Sequence, residues 1–221
     1  MKIGILGTGE VGNLLGSRLI ENGHQVMMGG REANNQKGLD FVNKHSSENA
    51  SYGTFAEASG FSEIIFNATN GRFALDALKL ANTDFAGKII IDVANPLDFT
   101  TTPPTLISEF ANTNSVGESI QNQYPKAKVV KTLNTFGMVL GVNPKQLNNG
   151  DHSVFISGND ESAKTKTKTL LTEFGWRIEN IIDIGDITGA RAMELYLILA
   201  VRMKLLFGES IFNIKVIKYS S

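Results

Sequence analysis

The amino-acid sequence predicts an α/β fold: a doubly wound, mainly parallel sheet carrying a small C-terminal α/β extension. Three observations support this. Short runs that are apolar on both faces alternate with helix-like segments as far as Leu133. The first run leads directly into a glycine-rich turn, "GTGEVG". Past Gly137 the alternation loosens, yet a strand, a helix, a second strand-like run and one long helix remain legible.

Strands are expected at Lys2–Leu6, Gln25–Met28, Glu63–Thr69 and Lys88–Ala94, with a weaker one near Ser51–Phe55. Helices are expected at Val11–Asn22, Asn34–Lys44, Arg72–Ala81 and, shorter, near Val116–Gln123. Right-handed crossovers should join the parallel strands. "ANPLDFTTTPP" reads as a loop, because adjacent prolines cannot continue a helix. "AKVVKTLNTFG" gives a sixth strand, Lys128–Leu133, running into a polar turn. "HSVFISG" reads as a strand, and "DESAKTKTKTLLTEFG" as a helix capped by Asp160 and stopped by Gly175. "RIENIIDIG" is strand-like, and a long helix from about Thr188 to Phe207 closes the core. Gly, Asn and Pro cluster over 137–149, which sets a soft boundary between 1–137 and 138–221. The second part is too small to stand alone and is expected to pack on the first.

Composition narrows the function. A chain of 221 residues, 42% hydrophobic, can bury one sizeable core. A net charge of -1 does not suit nucleic acid or a membrane surface. With no cysteine, disulfides and thiolate metal sites are excluded. There is no His-x-x-x-His or paired-acid pattern, so no metal is expected. The first apolar run is too short for a signal peptide, and Leu195–Val201, bracketed by Glu194, Arg202 and Lys204, is too short to span a bilayer. A cytoplasmic protein is expected.

In the turn, Gly7, Gly9 and Gly12 have the G-x-G-x-x-G spacing of a Rossmann-type dinucleotide site. Gly7 permits the tight turn, Gly9 lets backbone approach a pyrophosphate, and Gly12 lets the helix pack on the strand. Thr8, Glu10 and Val11 complete the turn, and the helix beyond offers free N–H groups and a positive dipole end. An NAD-preferring site places an acid about 20 residues further on. Here the second strand ends in "MMGGRE", with Gly30 and Arg31 at that place. Glycine leaves room for a 2′-phosphate and a guanidinium binds it, so NADP(H) is expected over NAD(H). Lys37 adds charge nearby. The competing reading leaves Arg31 as a solvated residue and gives Glu32 the acid's part.

In open α/β sheets, ligands bind beyond the carboxyl ends of the strands. Asn67, Thr69 and Asn70 end the fourth strand, Asn95 and Pro96 the fifth, and Asn134 and Thr135 the sixth. Each alone also suits a local turn bond; together they mark a neutral, hydrogen-bonding site. His24 reads as a solvated turn residue, and His45 and His152 as structural. The lysines of "KTKTK" read as a solvated helix face. No catalytic lysine on a central helix and no Ser-His-Asp arrangement is found. In the closing helix, apolar side chains from Met193 to Leu206 wrap most of the circumference, which fits a core helix or a subunit interface. Arg191 and Glu194 share a face near its start.

The segments "IGILGTGEVG", "MMGGRE", "IIDVANPL", "VVKTLNTFG" and "GDITGARAMELYLILAVRMKLLFGE" resemble, in order and spacing, the NADP oxidoreductase family dependent on coenzyme F-420. Reductase domains of membrane ferric reductases share the front half of the pattern. The resemblance implies a Rossmann domain and a small C-terminal portion. It also implies a nicotinamide pocket at Ala68–Asn70, Asn95–Pro96 and Asn134–Thr135, an acceptor pocket along the closing helix, and a homodimer formed through that helix. This chain departs from the family in two places. "GGR" at Gly29–Arg31 replaces "GSR", and Asn134-Thr135 replaces the His-Thr pair of the deazaflavin subgroup.

Hydride transfer between NADPH and a flavin-like ring requires positioning and little acid–base work. An NADP-dependent oxidoreductase with a small-molecule acceptor, a deazaflavin of the F-420 type or a flavin, is therefore expected, with Asn134 and Thr135 orienting the rings. The alternatives are a reductase of a small carbonyl or imine, or a non-enzymatic NADPH sensor.

Overall fold

The computed structural model describes residues 1–45, 48–209 and 211–219. The chain begins with β1 (Lys2–Leu6), α1 (Glu10–Glu21), β2 (Gln25–Gly30), α2 (Gln36–His45) and β3 (Ala50–Thr54). It continues with α3 (Phe55–Phe61), β4 (Ile64–Asn67), α4 (Ala74–Ala81) and β5 (Ile89–Asp92). The proline-rich segment expected as a loop carries a small antiparallel hairpin, β6 (Leu97–Asp98) with β7 (Thr105–Leu106). Then come α5 (Val116–Gln123), β8 (Lys128–Thr132), α6 (Met138–Val142), β9 (Val154–Gly158), α7 (Glu161–Phe174), β10 (Ile181–Asp183) and α8 (Gly189–Phe207).

Eight of these strands form one sheet in the order β10-β9-β8-β5-β4-β1-β2-β3. From β3 across to β8 every pairing is parallel. β9 enters antiparallel to β8, with Ile156 opposite Thr132, and β10 runs parallel to β9. β9 and β10 thus continue the sheet built by the strands before them.

The apolar runs are buried on both faces because helices cover both. Alternate residues point to opposite sides of a strand. Ile3, Ile5, Phe66, Ile91 and Val130 pack in the layer that includes Leu15, Phe41, Leu171 and Phe174. Leu6, Ile65, Ile90 and Val129 pack in the other, with Ala58, Leu78, Ile120 and Ala190. Helix ends follow local chemistry. Thr54 and Glu57 form a capping box on α3, Asp160 accepts from the Ala163 N–H on α7, and Gly175 closes α7 at φ 106°. Asn70 caps a tight turn over Gly71–Phe73, so α4 begins at Ala74 rather than at Arg72.

Two local readings are corrected by distant partners. His24 is buried, its Nε2 2.7 Å from Glu173 at the end of α7. Lys164 is also buried, paired with Glu161 at 2.7 Å and with Asp183 at 3.2 Å; of the "KTKTK" lysines only Lys166 is fully exposed. Arg191 and Glu194 do not serve one another. The Arg191 Nε donates to Glu118 of α5 at 2.7 Å, and Glu194 turns into the core. In the single chain α8 buries Ala190, Met193, Glu194 and Ala200, while Leu195, Leu199, Leu205 and Leu206 stay exposed. The core-helix alternative therefore holds only for the first part of α8.

Candidate active site

The glycine turn is shaped by contacts that only glycine tolerates. Gly7 has φ 122°, and a Cβ there would meet the Ala68 oxygen at 2.6 Å. A Cβ on Gly12 would lie 2.2 Å from the Gly7 oxygen, so α1 sits hard against β1. Gly9, by contrast, faces open space: nothing lies within 4 Å of a Cβ built on it. Gly9 caps α1 without a side-chain bond, leaving the first-turn N–H groups of Glu10, Val11 and Gly12 for an anion. Asn13 holds the turn by donating to the Thr8 and Gly9 oxygens at 3.2 and 3.1 Å. This cradle fits a dinucleotide pyrophosphate.

At the end of β2, Arg31 is exposed and its guanidinium stands 5.7 Å from the centre of the Phe73 ring. Both line a cavity of about 810 Å³ together with Phe55, Thr69 and Asn70. Lys37 does not share it; it lines a smaller cleft with Thr8, Gly9 and Glu10. Gly30 is also used differently from the expectation. The space beside it is filled by Tyr52, whose Oη would lie 2.4 Å from a Cβ at Gly30, and whose ring would lie 2.2 Å from one at Gly38. The Tyr52 hydroxyl donates to the Glu32 backbone oxygen. Gly30 thus admits Tyr52, and a serine in its place would collide with that ring.

The polar strand ends, read separately in the sequence, form two hydrogen-bonded groups. Asn67 accepts from the Thr69 hydroxyl at 2.7 Å and donates to Asp92 at 2.7 Å. The Gly71 N–H donates to the Asn95 oxygen at 3.1 Å. Asn95 and Asn134 then bond reciprocally: Asn95 Nδ2 to the Asn134 oxygen at 2.8 Å, and Asn134 Nδ2 to Asn95 Oδ1 at 3.0 Å. Pro96 is buried behind Asn95, and Ala68 receives the Gly7 turn. Leu133, just before Asn134, is held at φ 59°. That conformation is costly for a branched side chain and marks the turn as over-determined by its surroundings. Asn134 Oδ1 is buried with no hydrogen-bond partner among the described residues.

Beneath these groups lies an ionic cluster the sequence reading missed. Lys131 of β8 is fully buried, and all three of its protons are used: Asp92 at 2.7 Å, Glu194 of α8 at 2.8 Å and the Ala94 oxygen at 2.5 Å. Glu194 also accepts from the Val116 and Gly117 N–H groups at the start of α5, at 3.0 and 3.3 Å. Burial acts to lower the Lys131 pKa, but the Asp92 and Glu194 carboxylates outweigh it and hold the ammonium above its ordinary value. Burial raises the Glu194 carboxyl, with Lys131 opposing and the Asp92 charge adding to the rise. One cation thereby joins β5, β8, α5 and α8 under the site. Its sequence signal was a charge late in each of two largely apolar strands, Asp92 in "IIID" and Lys131 in "KVVKT"; such residues are almost never buried unpaired.

A second cavity, about 270 Å³ and lined mostly by apolar groups, adjoins Thr135. Phe155, Met193, Tyr196 and Ile214 wall it. The last of these belongs to a C-terminal segment anchored on Ser153, whose N–H donates to the Ile214 oxygen at 2.9 Å. Among the described residues no group of His, Cys, Asp and Glu is arranged to hold a metal, and no helix is long and apolar enough to cross a membrane.

A parallel sheet with a glycine turn feeding a helix N-terminus, and a polar row on the neighbouring strand ends, defines a Rossmann-type dinucleotide-binding protein. A family model described as NADP oxidoreductase, coenzyme F420-dependent, matches residues 2–96. The crystal structure of a candidate F420-dependent NADP-reductase from Arthrobacter sp. fb24 is 41% identical and superposes with a TM-score of 0.91, over 99% of this chain and 100% of that one. The chain belongs to the coenzyme F420-dependent NADP oxidoreductase family, and it is an NADP-dependent oxidoreductase. Metalloreductase STEAP3 of Rattus norvegicus is 28% identical over 195 residues, 87% of this chain and 36% of that protein, so this chain spans about a third of that relative's length. An imine reductase from Aspergillus terreus shares the fold at a TM-score of 0.63, with 16% identity over 94% of this chain and 63% of that one.

Proposed function

We propose that this chain transfers hydride between NADPH and a flavin-like or deazaflavin acceptor. NADPH, when bound, supplies the hydride from its dihydronicotinamide ring. The observation that carries the reading is two polar pairs at the strand ends, Thr69 with Asn67 and Asn95 with Asn134, and an apolar cavity of about 270 Å³ beside Thr135. Amides and hydroxyls there hold rings in register, and the charges of the Lys131 cluster are wholly enclosed below. Such a site positions reactants rather than exchanging protons with them.

The chain's residues divide the work. The Gly9 cradle and the α1 N–H groups take the pyrophosphate, and Arg31 takes the 2′-phosphate. Stopped-flow mixing with NADPH and, separately, 5-deazariboflavin, FMN and FAD tests the reading: NADPH absorbance should fall with at least one of them. No oxidation by any removes this acceptor class. The proposal includes a homodimer through α8, supported by the exposed Leu195, Leu199 and Leu205; light scattering that reads the monomer mass would exclude a stable one.

A further inference from the structure

Tyr52, on the edge strand β3, sits in a slot that two glycines leave open. A Cβ built on Gly30, at the end of β2, would lie 2.4 Å from its Oη; one built on Gly38, in the first turn of α2, would lie 2.2 Å from its ring. Glycine weakens both strands and helices, so each position stays open at a cost to the element that contains it. The ring fills the space between β2 and α2 and packs on the layer that includes Phe41.

Packing accounts for the ring but not for the hydroxyl, because phenylalanine would fill the same slot. That hydroxyl donates to the Glu32 backbone oxygen. Residues 31–34 lie between β2 and α2 and belong to neither. Tyr52 therefore ties this connection to β3 one residue beyond Arg31. Burial pushes the Tyr52 pKa up, with the Asn35 N–H opposing, so the group keeps its proton and remains a donor at neutral pH. From the other side, the Phe73 ring stands 5.7 Å from the Arg31 guanidinium. Arg31 is thus held at both ends, its backbone through Tyr52 and its head over Phe73.

We infer that Tyr52 is a positioning residue for nucleotide choice: by tying the connection at Glu32 it aims Arg31 at the cavity where the 2′-phosphate is read. The inference rests on the reading of Arg31 as the phosphate's partner. Tyr52 lines neither the cavity of Arg31 nor the cleft of Lys37, so it acts through Arg31 and does not touch the nucleotide. A guanidinium already held in place loses less freedom on binding, and more of its charge-assisted bonding appears as affinity. NADH lacks the 2′-phosphate and gains nothing from this aim.

Titration calorimetry of NADPH and NADH tests the inference on the full chain. Tyr52→Phe keeps the ring and removes the tie. It should weaken NADPH roughly three- to tenfold and leave both NADH affinity and the melting temperature unchanged. Arg31→Ala should give a larger NADPH-specific loss, and adding Tyr52→Phe to it should lose no more, because nothing is left to aim. Additive losses overturn the inference, since a merely structural role acts with or without Arg31. So does equal weakening of both nucleotides by Tyr52→Phe, or weakening of neither. Gly38→Ala reads the slot: it should lower the melting temperature of the wild type and raise it in Tyr52→Ala, where helix propensity acts alone. A rise in both backgrounds shows the ring free in its slot and also overturns the inference. If Arg31→Ala loses NADPH affinity and Tyr52→Phe does not, the 2′-phosphate reading stands without Tyr52. If Arg31→Ala shows no NADPH-specific loss, both fall.

Discussion

The two ends of the ligand-binding edge are built by opposite means. At the nucleotide end, β1, α1 and β2 offer backbone N–H groups, missing side chains at Gly7, Gly9 and Gly12, and one exposed cation, Arg31. At the acceptor end, β5, β8 and α8 are locked by Lys131, Asp92 and Glu194, all buried, with a polar row and an apolar cavity above. In the proposed reading the nucleotide end uses solvent-facing charge to meet a ligand. The acceptor end uses enclosed charge that meets only protein. A cation at the surface should therefore govern affinity with little effect on stability, and a cation in the core should do the reverse.

The largest expected effect comes from the core. Lys131→Met leaves Asp92 and Glu194 as two buried carboxylates with no counter-charge, and should cost about 3–5 kcal/mol of unfolding free energy. Urea denaturation measures it, and an unchanged midpoint would show that α8 is not held by this cluster. Next comes Arg31→Ala, which should weaken NADPH binding by about 1.5–3 kcal/mol, roughly 10- to 150-fold, with little change for NADH. Its unfolding free energy should move by no more than about 0.5 kcal/mol. Equal losses for both nucleotides by titration calorimetry would give the acid's part back to Glu32 and erase the contrast.

The smallest effect sharpens the comparison at a half-exposed site. The Ser162 hydroxyl, the Ala163 N–H and Lys128 hold the Asp160 carboxyl at about 2, below its ordinary 3.8. Because the folded value is depressed, the contribution is complete above the unfolded value and fades as the pH falls toward about 2. Asp160→Ala should cost about 1 kcal/mol at neutral pH through the lost helix cap. The gap between the two proteins should close in acid; a gap that persists at pH of about 2 would assign it to another cause.

The same contrast explains what could be read from the chain alone. Gly7, Gly9 and Gly12 carry their meaning in local spacing, so the turn, the strand before it and the helix after it were legible. The strand ends at Asn67, Asn95 and Asn134 were legible as positions, because an apolar run followed by amides shows where a strand stops. Their mutual bonds were not, since Asn95 and Asn134 are 39 residues apart. His24 and Lys164 were misread as solvated because their surroundings in sequence are polar, while Glu173 and Asp183, which bury them, come from other elements. Tyr52 shows the limit most plainly: the glycine at position 30 was visible, but nothing local says which ring fills its place.

By itself the sequence determined the parallel sheet, the phosphate-binding turn and the cationic end of β2. Each depends on neighbours within a few residues, through strand alternation, helix capping and backbone conformation. Only the tertiary structure decided which charges are buried together and which cavity adjoins Thr135. These are properties of groups far apart in the chain, and their energies arise when packing removes water from between them.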